Sequence, residues 1–76
     1  MVGVVVKVFA SLQEHAPAQP RMELPDACDI NTLLDLLGLP AEGRYITLVN
    51  GVPEWNRTRV LQENDVVAIF PLIAGG

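Results

Sequence analysis

The chain has 76 residues, enough for one domain and a single core. Half of it is hydrophobic, 18% is charged and mean hydropathy is +0.32, which excludes intrinsic disorder and leaves apolar surface over for a partner. Five Lys and Arg against nine Asp and Glu give a net charge of −4, which argues against nucleic acid and anionic membranes, since both select clustered positive charge.

The valine-dense segment from Val2 to Ala10 reads as a strand, because β-branched side chains fit a pleated sheet better than a helix. Lys7 sets its phase. Val4, Val6 and Val8 face the core, and Val5, Lys7 and Phe9 face the other way. Ser11 to Pro20 is a connection. Arg21-Met22-Glu23-Leu24 alternates as the return leg of a hairpin, ended by Pro25.

Asp29 to Leu37 is the expected helix. Asp29 is the N-cap, and Ile30, Leu33, Leu34 and Leu37 form one apolar stripe. Gly38 takes the left-handed position after the last turn, Leu39 makes the closing contact and Pro40 blocks continuation. Glu42-Gly43-Arg44 turns into a strand from Tyr45 to Asn50, and Asn50-Gly51 is a strong hairpin signal. Pro53 to Arg59 is polar and irregular. Glu63-Asn64-Asp65 turns into a last strand, Val66 to Phe70, which Pro71 is expected to end. One helix on a mixed sheet of four to five strands makes an α+β domain. The first and last strands are the most hydrophobic and so belong at its centre.

Candidate chemistry is sparse. Cys28 is the sole cysteine, so no internal disulfide, structural zinc or iron–sulfur cluster is expected. It reads as a half-buried residue before the helix, and His15, the sole histidine, as an exposed loop residue. Asp26 and Asp29 read as capping groups, and Arg57 and Arg59 as solvated charges. The first seven residues lack the basic region and cleavage site of a signal peptide, and no apolar run reaches the ~18 residues of a membrane span, so a cytoplasmic location is expected. The C-terminal Gly75-Gly76 is the distinctive feature. Without Cβ atoms it can enter a channel too narrow for side chains and present the Gly76 carboxylate on a thin arm. A carboxylate must be activated before it can transfer, and the chain has no means of doing so itself.

Three stretches carry a family resemblance: Val6-Lys7-Val8-Phe9-Ala10-Ser11-Leu12, Leu48-Val49-Asn50-Gly51, and Glu63 through Gly76 with its acidic turn, hydrophobic strand, Phe70-Pro71 and diglycine. The chain resembles the ubiquitin-like sulfur carriers, most closely the small subunit of molybdopterin synthase (MoaD type), although Leu72-Ile73-Ala74 departs towards the tail of the thiamine-pathway carrier (ThiS type). The resemblance implies a β-grasp domain over residues 1–71 and a flexible tail over 72–76. It also implies a protein that is not an enzyme by itself. An E1-like partner uses Mg-ATP to adenylate the Gly76 carboxylate, and a donor such as a cysteine desulfurase converts it to a thiocarboxylate. The sulfur then passes, inside a large synthase subunit, to molybdopterin or a tungsten-pterin. A thiazole synthase is the alternative acceptor, and isopeptide attachment of Gly76 to other proteins is a further one. No bound cofactor or metal is implied. Gly75 and Gly76 match the working pair. Phe9, Phe70, Pro53, Leu72 and Ile73 fall at docking positions.

Overall fold

A computed structural model describes residues 1–40 and 42–72. Its strands are β1 (Val2–Val8), β2 (Arg21–Leu24), β3 (Tyr45–Val49), β4 (Val52–Pro53) and β5 (Val66–Pro71), with one α-helix, α1 (Ile30–Leu36). They form a single five-stranded sheet in the order β2-β1-β5-β3-β4. The β1–β5 pair at the centre is parallel, and the other three pairs are antiparallel. This is the β-grasp arrangement, with the first and last strands central as expected. Among the described residues no helix is long and apolar enough to cross a membrane.

Alternation along the strands decides the core. Val4, Val6, Val8, Val49, Val67 and Ile69 are buried on one sheet face, in one cluster with Ile30, Leu33 and Leu34 of α1. The helix begins where expected. Asp29 accepts the Thr32 amide at 2.8 Å, while the Ile30 and Asn31 amides donate to the Arg59 and Arg57 carbonyls. All the early orphan amides of the helix are therefore satisfied. It ends as expected too. Gly38 (φ +77°) follows Leu37, and the amides of Gly38 and Leu39 return to the Asp35 and Leu34 carbonyls. The Asn50-Gly51 turn has both residues at positive φ (54° and 82°), the geometry that matches strand twist.

Several expectations are corrected. The connection after β1 opens with a 3₁₀ helix, Ala10–His15, begun by Ala10 at φ 55° and anchored by the partly buried Leu12. Leu12 is its one large apolar residue, so there is no apolar repeat to read. His15 is only half exposed, with Nδ1 3.2 Å from the Leu37 carbonyl at the C-terminal end of α1. Cys28 is 3% exposed rather than half-buried. Asp26 caps nothing and pairs with the Met1 ammonium at 2.7 Å. The Met1 ammonium pKa is raised, first by that hydrogen bond to Asp26. Pro71 is the last residue of β5 and not its stop. It lies opposite Tyr45, between the bonded pairs 46–70 and 44–72, where no N–H is required. Pro53 is likewise in a strand, at the sheet edge where proline is tolerated.

A polar latch fixes the start of β5. Asp65, 6% exposed, accepts the Gln62 amide at 2.8 Å and the Asn50 side-chain amide at 2.9 Å, and Asn50 accepts the Val66 amide at 2.9 Å. Replacing Asp65 by Ala strips two part-buried donors of their partner, and hydrogen bonds to charged groups contribute about 1.5–3 kcal/mol each. We expect Asp65→Ala to lose at least about 2 kcal/mol in urea unfolding. A loss no larger than that of an exposed control such as Asn31→Ala would show that the latch is dispensable.

A second polar group lies on the opposite sheet face. The Gly3 amide (2.8 Å) and then the Arg21 guanidinium (2.6 Å) hold the Glu63 carboxyl below the usual carboxylate range, and the Thr32 amide does the same for Asp29. The folded state binds the Glu63 proton less tightly than the unfolded chain. Its stabilisation is therefore complete above the unfolded pKa, about 4.3, and is lost as pH falls through the lower folded value. Urea midpoints recorded from about pH 6 down to about pH 3 should fall in the wild type and fall less steeply in Glu63→Gln. Parallel profiles would contradict this assignment.

Candidate functional site

The sheet face turned away from α1 has no element across it among the described residues. Register brings Val5 beside Val66, Ala68 between Lys7 and Leu48, Phe70 beside Ile46, and Pro53 beside Leu48. The Phe9 amide donates to the Ile69 carbonyl at 3.1 Å, which carries the β1 alternation one residue further. The Phe9 ring then stacks on Phe70, with centroids 4.4 Å apart and planes 5° from parallel. Both rings are half-buried, and neither belongs to the core. Phe9, Phe70 and Pro53 are thus brought to one apolar face.

The other end of that face is charged. Arg21 bridges Glu63 (2.6 Å) and Glu23 (3.4 Å), and the Glu63 contact is the first cause of its raised pKa. The face therefore divides into an aromatic half beside the end of β5 and an ionic half beside β2.

Leu72 is placed differently. It is 43% exposed, its amide donates to the Arg44 carbonyl at 3.1 Å, and it lines a cleft of about 240 Å³ at the β3 edge with Arg44, Tyr45, Glu54, Trp55 and Arg57. Arg57 and Arg59 are not merely solvated. Arg57 donates to the Gly43 carbonyl at 2.9 Å and lies 5.5 Å over the Tyr45 ring, and Arg59 pairs with Glu54 at 3.2 Å. Sequence reasoning missed this cleft. Trp55, 68% exposed inside a stretch read only as polar, was the available signal. Ile73, Gly75 and Gly76 lie outside the described residues.

Cys28 and His15 do not pair. Burial, then Asp29, pushes the Cys28 thiol up, which keeps it protonated and weakly nucleophilic. His15 sits at the far end of α1, on the order of 10 Å away along the axis. Among the described residues no group of three or more His, Cys, Asp or Glu could hold a metal ion.

The ThiS family model matches residues 6–76, nearly the whole chain. The chain belongs to the ThiS family. Family and fold agree, since the β-grasp sheet is the fold of the solved ubiquitin-like structures it matches. Its fold is shared with a putative molybdopterin converting factor subunit 1 from Pyrococcus furiosus (TM-score 0.75, 24% identity, 96% of this chain and 100% of that one). It is also shared with small archaeal modifier protein 1 of Haloferax volcanii in two crystal structures. One gives TM-score 0.73 and 21% identity over 96% of this chain and 100% of that one. The other gives 0.69 and 23% over 97% and 99%. No curated protein sequence matches significantly.

In this ThiS-family chain the stacked rings form one unit, so their contributions should not add. A double-mutant cycle over Phe9→Ala and Phe70→Ala should give a coupling of about 0.5–1.5 kcal/mol in unfolding free energy. Simple additivity would mean that the rings act separately.

Proposed function

We propose that this chain is a sulfur carrier that works through the Gly76 carboxylate. An E1-like enzyme joins that carboxylate to the AMP moiety of Mg-ATP, releasing pyrophosphate. The persulfide of a sulfur donor such as a cysteine desulfurase then displaces AMP to give an acyl disulfide, and a second thiol cleaves it, leaving the thiocarboxylate on Gly76 and a disulfide between the two thiols. The thiocarboxylate gives its sulfur to a pterin precursor inside a large synthase subunit, in the making of molybdopterin or its tungsten counterpart. The chain itself needs no bound cofactor and acts as co-substrate or small subunit in the cytoplasm. The observation that carries this reading is the family match, which runs through Gly75 and Gly76.

The apolar face supports the same reading. A carrier must be held while its last residues are handled, and the Phe9–Phe70 stack, Pro53 and Leu72 offer exposed apolar area near the end of β5, with Ile73 next in the chain. Aromatic side chains of this kind dominate protein interfaces. The pterin branch is preferred to a thiazole synthase because of the Phe-Ala-Ser sequence after β1 and the Phe70-Pro71 pair. The likeness to a small archaeal modifier protein favours one second reading, in which the activated Gly76 is passed to a lysine of another protein.

Intact mass of the protein from its native host tests the proposal. A fraction heavier by one oxygen-to-sulfur exchange, absent when Gly75 and Gly76 are deleted, is the expected result. An unshifted mass after incubation with an E1-like enzyme, Mg-ATP and a sulfur donor would remove the carrier reading. A ladder of Gly76-linked conjugates in its place would establish the modifier.

A further inference from the structure

The cleft at the β3 edge is used neither by the core nor by the stacked aromatic face. Its chemistry differs from the rest of the molecule. The chain carries a net charge of −4, yet three of its five basic residues, Arg44, Arg57 and Arg59, gather here. Glu54, the acidic group of the lining, is tied to Arg59 at 3.2 Å. Arg44 is exposed and has no carboxylate within ion-pair distance among the described residues. The cleft is therefore locally positive on a negative protein. Its rim is apolar, with Trp55 68% and Leu72 43% exposed.

The strand edge is open as well. Bonding between β3 and β5 runs through the pairs 44–72 and 50–66, so Tyr45 and Thr47 turn their main-chain groups towards the opposite edge. There the Thr47 carbonyl takes the Glu54 amide at 2.8 Å, and β4 extends no further. The main-chain groups of Tyr45, a lining residue of the cleft, are left without a backbone partner among the described residues. A volume of about 240 Å³ suits one side chain and a short piece of extended backbone, not a folded element.

We propose that this cleft receives an acidic extended segment of the adenylating partner, with one apolar side chain between Trp55 and Leu72 and an adjacent carboxylate on Arg44. The proposal rests on the reading above that such a partner handles Gly76. Continuity supports it. Leu72 is bonded to Arg44, and the four residues that follow reach at most about 14 Å, so a protein holding the Gly76 carboxylate stands next to the cleft. Charge complementarity selects the acidic character, and the exposed rim selects the apolar side chain.

Trp55 is the only tryptophan, so the wild-type chain reports on the cleft directly. Titration with the E1-like enzyme should shift Trp55 emission to the blue, with an affinity that falls as salt rises. Arg44→Glu should raise the KM for the carrier roughly tenfold at unchanged kcat and flatten the salt dependence, and Trp55→Ala should raise KM similarly. An enzyme that adenylates the wild type and Arg44→Glu with the same KM overturns this inference and leaves the carrier reading in place. An enzyme that moves Trp55 emission in a salt-dependent way but forms no adenylate supports the cleft and overturns the carrier reading. Emission that moves on deleting residues 73–76, or on raising the protein concentration alone, assigns the cleft to the chain's own tail or to a second copy, and overturns the proposal.

Discussion

The Asp65 side chain takes the Gln62 and Asn50 amides, and its main-chain carbonyl takes the Val5 amide at 2.9 Å. One residue thus joins the start of β5 to β1 on one side and to the β3–β4 turn on the other. Side chains on a strand alternate, so a slip of one residue would exchange the two faces of β5. Val67 and Ile69 would leave the core, and Phe70 would leave its partner Phe9. The hydrophobic effect supplies most of the driving force for burying this sheet, but it does not say where β5 must begin. The buried carboxylate does.

That registration has a consequence for how the protein can meet others. The apolar face and the basic cleft lie on different surfaces, yet both converge on the last residues of β5. Phe70 belongs to the first and Leu72 to the second. The ionic group of Arg21, Glu23 and Glu63 sits at the other end of the open face. The exposed apolar area is thereby gathered at the end of the molecule from which residues 73–76 continue. Exposed ion pairs contribute little to stability, and one benefit of this group is that it limits the width of the apolar patch.

Much of this fold was legible because its signals are local. The Asp29 cap, the Ile30-Leu33-Leu34 stripe, Gly38 and the Asn50-Gly51 turn each act within a few residues. The outward placement of Phe9 followed from the phase set by Lys7. What escaped depends on distant parts of the chain. The 57–59 carbonyls receive the first amides of α1, which gives order to a stretch that looked irregular. Asp26 found the Met1 ammonium rather than the helix. His15 is held by a carbonyl 22 positions away, and Cys28 was buried further than its polar neighbours suggested. The cleft is the clearest case. It is assembled from β3, from the loop after β4 and from the residue after β5, and no local pattern spans those three.

The parallel pairing of β1 with β5 places the first and last strands of the described chain side by side at the centre of the sheet. Without β5, β1 and β3 would each have an unpaired edge and the core would lack Val67 and Ile69. A chain still being made therefore has no formed sheet to offer until its final strand has emerged. The face that carries Phe9 comes into existence only in molecules that also possess β5 as far as Phe70. Any protein that grips this face has, by the same contact, checked that its client is folded and complete through its last strand.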